Sequence, residues 1–280
     1  MFRAALIQMA CSGSRKHNVD KAASLIDDAV GGSAEVICLQ EVFSSRYFPQ
    51  EMKHESFDMA EPVTGPTVST MQDISQSRRV TLIVPFFEKV MEGLFYNTAA
   101  VIESGSLLGL YRKNHIPDEP GYCEKFYFKP GDLGYPVFRT RLGRIGVGIC
   151  WDQWFPETGR SLALNGAEMV FFPSAIGGGP SHPEVPGERV KEMWTLANRA
   201  QACMNLLWVG VLNRVGQEGD IRFFGGSFFA NPLGEVTVLS SRDGDEVVMG
   251  EIDLECVRKA RRWWPYFRDR RTSTYGRLLE

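Results

Sequence analysis

The sequence predicts an α/β protein, and three observations carry that reading. Segments with helical spacing alternate with short apolar runs along the chain. Several runs, "AEVICLQ" and "VTLIVPFF" among them, are apolar throughout, as strands covered on both faces should be. Other runs are joined by tight turn signals, so the sheets are mixed rather than purely parallel.

Each element follows in order. "FRAALIQMA" reads as a strand, because it lacks the long apolar core and cleavage pattern of a signal peptide. "NVDKAASLIDDAV" has helical spacing, with Asn18 as its expected N-cap. "AEVICLQ" is a buried strand, "TVSTMQDISQSRR" a helix and "VTLIVPFF" another buried strand. "NTAAVIE" and "LLGLYRK" form an antiparallel pair around Ser104-Gly105. "GRIGVGIC" is a strand, "PETGRSLALNG" a helix and "AEMVFFPSA" a strand. The longer helix "ERVKEMWTLANRAQACMN" leads into the strand "LLWVGVLNR". "GGSFFANP", "EVTVLS" and "EVVMGEIDL" close the chain as strands. One echo is visible: "GGSAEVICLQE" resembles "LNGAEMVFFPSA", and each follows a helical pattern. Two similar helix–strand units are therefore expected. No Ser/Gly/Pro-rich linker divides the chain, so residues 1–280 read as a single domain with a C-terminal tail from 258.

Bulk composition excludes several function classes. No apolar run approaches the ~20 residues that span a membrane. Six cysteines are scattered without C-x-x-C spacing, which argues against a disulfide framework and for a reducing, cytoplasmic home. Four scattered histidines form no metal motif, so a protein-bound metal is not expected. The net charge is −3, yet "RKARRWWPYFRDRR" holds seven basic residues and one acid, leaving 24 basic and 33 acidic residues elsewhere. One short basic segment on an acidic body is a weak footprint for nucleic acid, and no nucleic-acid partner is expected.

Three strand ends stand out chemically. "VICLQE" ends at Glu41, "LLGLYRK" at Lys113 and "IGVGIC" at Cys150. Alone, each has a bland reading. A free cysteine usually fills a core, a glutamate usually caps or is solvated, and a lysine is usually a solvated charge. Together they supply an acid, a base and a thiol at the edge where such sheets gather their sites. A thiol is mostly protonated at neutral pH and needs a base to become a nucleophile. Glu41 could take that proton and pass it to a leaving nitrogen. The Lys113 ammonium and the Trp151 backbone N–H could hold a developing oxyanion. That set describes acyl transfer from an amide through a thioester. Gly143, Gly146 and Gly148 sit within a strand and read as close-packing positions beneath the site, not as a dinucleotide loop.

At this point the motifs "LQEVF", "YRKNHIPDEPGYCEKFYFKPGD", "GICWDQWFPE" and "FFPSAIG" resemble the nitrilase superfamily of carbon–nitrogen hydrolases, with a likeness running from "ALIQM" to "FRDRRTSTY". The branch most similar is that of the N-carbamoylputrescine amidases. The resemblance implies a four-layer αββα sandwich, no cofactor, and a Glu41–Lys113–Cys150 triad with Glu124 as a second acid beside the lysine. It also implies a pocket lined by Tyr47, Trp151, Trp154, Ala175 and Ile176. Homodimers or higher homo-oligomers are implied too, with the C-terminal tail at the subunit interface. Cys-Trp-Asp resembles amide and carbamoyl hydrolases, where Cys-Trp-Glu resembles true nitrilases. Gln153-Trp154 stand where the D-amino-acid carbamoylases carry paired arginines. The carbamoylputrescine branch continues "AIG" with Ser-Glu, whereas here Gly178 and Gly179 follow, and Glu184 or Glu188 would have to meet a distal ammonium. The loop "GGGPSHPEVPG" reads as a lid or a surface connection. The expectation is a hydrolase of a small linear amide or ureide, N-carbamoylputrescine or a similar N-carbamoyl amine first. A monoamide amidase and a catalytically silent assembly subunit are the rivals.

Overall fold

The computed structural model describes residues 1–179, 184–185, 187–241 and 243–279. Strand β1 (Phe2–Gln8) leads into helix α1 (Arg15–Gly31) and β2 (Ala34–Leu39). Helix α2 (Pro66–Arg78) precedes β3 (Thr81–Met91), β4 (Leu94–Glu103) and β5 (Ser106–Arg112). A short hairpin follows, β6 (Asp118–Glu119) and β7 (Tyr122–Cys123). Then come β8 (Val137–Arg139), β9 (Arg144–Val147), α3 (Pro156–Leu164), β10 (Met169–Pro173), β11 (Gly177–Gly178) and α4 (Gly187–Asn205). The last strands are β12 (Trp208–Leu212), β13 (Val215–Glu218), β14 (Ile221–Phe224), β15 (Phe228–Ala230), β16 (Val236–Leu239) and β17 (Glu246–Ile252), before helix α5 (Leu254–Trp263).

Two six-stranded sheets result, ordered β17-β1-β2-β3-β4-β5 and β16-β15-β12-β10-β9-β8. The period of two along the strands explains the layering. Leu6, Val36, Cys38 and Ile83 of the first sheet join Val147, Met169 and Phe171 of the second in one core. Their neighbours Ile7, Ile37, Leu39, Leu82 and Val84 instead pack with Ala22 and Ile26 of α1 and Val68 and Met71 of α2. Strands apolar on both faces are thus sandwiched, which gives the αββα order. On the far side α3 lays Leu162 over Gly146, and α4 packs along β12 and β15.

The internal echo is structural. Strand β2 runs parallel between β1 and β3, and β10 runs parallel between β9 and β12. The β4–β5 pair turns at Ser104 (φ 47°) and Gly105 (φ 85°), the left-handed pair that a two-residue hairpin requires. One local expectation is corrected. Helix α1 starts a turn earlier than its pattern suggests, capped by Ser14, whose Oγ accepts from the His17 N–H. Asn18 is buried inside it, accepting from Ser12 N at 2.8 Å and donating to Ser12 O at 2.9 Å, so it anchors the preceding loop. The basic segment also begins as helix α5, with Leu254, Val257 and Ala260 buried. Among the described residues, no helix is long and apolar enough to cross a membrane. Much of the expected lid, residues 180–183 and 186, lies outside the described residues.

Candidate active site

Strand direction puts three sequence-distant side chains at one edge. Strands β2 and β3 are parallel, and β4 is antiparallel to both β3 and β5. Strand β5 therefore points the same way as β2. Glu41 lies just beyond the end of β2, and Lys113 immediately beyond β5. From the facing sheet, β9 delivers Cys150 at the start of a 3-10 turn, Cys150–Trp154. The site thus forms between the sheets, outside the carboxyl ends of their strands.

Geometry around the lysine is dense. Lys113 Nζ donates to Glu41 Oε1 at 2.9 Å and to Glu124 Oε2 at 2.6 Å. All three side chains are fully buried. Asn97 Nδ2 donates to the same Glu41 oxygen at 2.7 Å, and the Tyr47 hydroxyl donates to Glu124 Oε1 at 2.6 Å. Glu41 Oε2 is buried with no hydrogen-bond partner among the described residues. An unsatisfied buried carboxylate oxygen is costly, and such exceptions concentrate where chemistry needs them.

Electrostatics follow from this packing. Burial disfavours the Lys113 ammonium, but the Glu124 and Glu41 charges outweigh it and hold the lysine above its usual range. Burial pushes Glu124 up to about 7, against the attraction of Lys113. The Cys150 thiol is pushed well above its usual value, first by burial and then by the Glu41 charge, against Lys113. The thiol therefore stays protonated until a base removes its proton.

The raised Glu124 value has a sign-definite consequence. A carboxyl raised on folding stabilises the protein below its ordinary value, and that contribution is lost as pH rises through about 7. A glutamine at the same position does not titrate. The stability advantage of the unsubstituted protein over Glu124→Gln is thus expected to shrink between about pH 5 and about pH 8. Urea unfolding at the two pH values checks this, and a widening gap would contradict it.

The nucleophile turn is strained and pinned. Cys150 has φ 47°, uncommon for a residue with a side chain. Asp152, buried in the same turn, holds it in place. Its Oδ2 accepts from Ile149 N at 2.8 Å and from the Tyr111 hydroxyl at 2.6 Å, and its Oδ1 accepts from His115 N at 3.0 Å. Tyr111 and His115 flank Lys113, so one carboxylate ties the cysteine turn to the lysine strand. Beneath the turn, a side chain at Gly148 would meet the Phe172 ring at 2.6 Å, the close packing the sequence suggested for these glycines. Trp151 is the second residue of this turn, where backbone N–H groups have no intrahelical acceptor.

A small cavity opens beside Cys150. Trp151, Trp154 and Ile176 stand on its wall. Tyr47 and Ala175, expected on the same wall, are not among the residues lining it; both are buried and cluster with Tyr122, and the Tyr47 hydroxyl is engaged with Glu124. Glu119 and Tyr122 also line the cavity; both lie in the motif that includes Lys113, but the sequence reading did not assign them to the pocket. Gln153 is buried away from it, accepting from Trp194 Nε1 at 2.7 Å and Asn198 Nδ2 at 2.8 Å. Among the described residues, no three His, Cys, Asp or Glu side chains converge as a metal-ligand set.

Sequence reasoning also missed Asn97, Arg214 and Glu218. Arg214 is fully buried, and its Nη2 donates to the backbone oxygens of Glu41 at 2.9 Å and Val42 at 3.1 Å. Its Nη1 pairs with Glu218 at 2.7 Å, and Glu218 accepts from Tyr47 N at 2.7 Å. The signal available was an arginine two residues past an apolar strand, "WVGVLNR", an unusual place for a solvated charge.

With this geometry in view, comparison with known proteins is informative. The family model described as Carbon-nitrogen hydrolase matches residues 3–262. An N-carbamoylputrescine amidase of Oryza sativa subsp. japonica is 41% identical over 285 residues, covering 98% of this chain and 93% of the rice protein. A citrullinase of Francisella tularensis is 33% identical over 283 residues, covering 99% of this chain and 98% of that protein. A crystal structure of a carbon-nitrogen hydrolase from Helicobacter pylori G27 superposes with a TM-score of 0.95 at 40% identity, covering 100% of this chain and 98% of that one.

Proposed function

The chain belongs to the carbon-nitrogen hydrolase family, and from that premise we propose that Cys150 cleaves the C–N bond of an N-carbamoyl amine, with N-carbamoylputrescine the best candidate. The family makes it a hydrolase of carbon–nitrogen bonds other than peptide bonds. Two of its relatives are named for ureides, N-carbamoylputrescine and citrulline, which supports a ureide over a plain monoamide. The observation that carries the reading is Glu41. It is held by Lys113 and Asn97 through one oxygen, and its other oxygen is buried with no hydrogen-bond partner among the described residues.

The steps follow from the charges. Cys150 Sγ attacks the ureide carbon while its proton passes to Glu41, because burial makes a standing thiolate unfavourable. Negative charge moves to the carbonyl oxygen, where the Lys113 ammonium and the Trp151 N–H stabilise it; one such donor is typically worth about 3 kcal/mol. Glu41 then gives its proton to the departing nitrogen. Water, deprotonated by Glu41, cleaves the thiocarbamate and restores the thiol. The released carbamic acid breaks down, so the amine, carbon dioxide and ammonia leave in equal amounts. Glu124 fixes the lysine by accepting its hydrogen bonds, and the Tyr47 hydroxyl in turn holds Glu124.

A homo-oligomer with the C-terminal segment at its interface is part of the same reading. The exposed indoles of Trp263 (72%) and Trp264 (41%) support it, since large exposed aromatics mark contact surfaces.

A panel of ureides and simple amides tests the chemistry. Carbon dioxide and ammonia released together from N-carbamoylputrescine is the expected result. Ammonia from monoamides alone would replace the ureide reading with that of a monoamide amidase. No release from any member would favour an assembly subunit that kept the fold.

A further inference from the structure

We infer that Glu119 selects substrates with a cationic end, and this rests on the ureide reading above. The cavity beside Cys150 is walled by Pro117, Tyr122, Trp151, Trp154 and Ile176, and among the described residues Glu119 is the charged side chain lining it. Glu119 is not on a loose loop. It pairs with Tyr122 across the β6–β7 hairpin. The Tyr122 hydroxyl accepts from Gly177 N at 3.0 Å, tying that hairpin to the β11 segment. Glu119 is half-buried, and its charge is felt at the Tyr122 phenol.

Other carboxylates are placed elsewhere. Gly178 and Gly179 bring no side chain, and a Cβ on Gly178 would meet only Gly187 Cα at 3.6 Å. Glu188 lines a separate hollow beside Lys191 and Arg222, and Glu184 is exposed to solvent. A buried ammonium without a counter-charge is costly. Aromatic walls attract a cation, and a carboxylate beside them would repel an anionic substrate tail. Glu119 with Tyr122, Trp151 and Trp154 therefore makes a cation-reading end for a ureide whose carbonyl sits at Cys150.

The test compares N-carbamoylputrescine with N-pentylurea, which replaces the distal ammonium by a methyl group. Glu119→Gln is expected to lower kcat/KM for the cationic ureide about 30-fold, mainly through KM. N-pentylurea should change by less than about 2-fold. Glu119→Lys should lower the cationic ureide further and leave N-pentylurea active. Equal losses on both ureides, or no loss on either, would overturn the assignment. An unsubstituted enzyme that cleaves both ureides without preferring the cation would overturn it too, while leaving the ureide reading intact. An enzyme that cleaves neither ureide but cleaves monoamides removes the ureide reading. In that case δ-aminovaleramide and hexanamide carry the same comparison, and an unchanged preference in Glu119→Gln then refutes the role of Glu119.

Discussion

Cys150→Ala is expected to lower turnover of the best ureide by at least about 10⁴-fold, with the fold intact. The loss is large because the sulfur is the bond-forming atom, and no other group at the cavity can take its place. The alanine adds no strain that the cysteine does not already carry at φ 47°, so the melting temperature should move little. Glu41→Gln is the informative partner. A glutamine keeps the shape beside Lys113 and Asn97 but cannot take a proton, and losing a general base typically costs about 10²–10⁴-fold. Water then lacks its base in the second step, so a covalent adduct should accumulate on Cys150. Intact-mass spectrometry after mixing with N-carbamoylputrescine reads both that adduct and which nitrogen leaves first. Cys150→Ala with more than a hundredth of normal turnover, or Glu41→Gln at full rate, would defeat the mechanism.

Arg214→Leu is expected to destabilise the protein by about 3–5 kcal/mol, lowering Tm by roughly 10 °C. The guanidinium is fully buried and serves four acceptors: the backbone oxygens of Glu41, Val42 and Ser45, and the Glu218 carboxylate. Leucine leaves the three carbonyls without their donor and a carboxylate without its charge. Val42, β-branched at φ 41°, also loses the clamp on its strained backbone. That backbone carries Glu41, so kcat should fall together with stability. The double variant Arg214→Leu/Glu218→Leu should recover part of the stability, because it removes the unpaired carboxylate. Equilibrium urea unfolding decides. A loss below about 1 kcal/mol for the single variant would show that the clamp is not structural.

Legibility in the sequence followed locality. Glu41, Lys113 and Cys150 were visible because each closes an apolar run, and an apolar run announces its own end. The helix–strand echo was visible because β2 and β10 repeat one short pattern with similar neighbours. Asn18 was misread because helical spacing marks an apolar face, not the first turn, and Ser14 one turn earlier satisfied the free N–H. Arg214 carried no local sign of its partners, since Glu41 lies 173 residues away. Glu119 and Glu218 sit on short strands with mixed polarity, where periodicity has too few residues to speak.

By itself the sequence determined the α/β layering, the strand ends that bear an acid, a base and a thiol, and the family through its motif set. Those depend on the order of apolar and polar residues along the chain, which tertiary contacts do not alter. Only the folded structure decided that β5 runs with β2, which is how Lys113 reaches the Glu41 its motif implied, and that Tyr47 bonds Glu124 while Arg214 clamps the Glu41 backbone. It alone placed Glu119, rather than Glu188 or residues 178–179, at the cavity beside Cys150. These are facts of strand direction and long-range packing, set by two sheets burying their facing sides against each other.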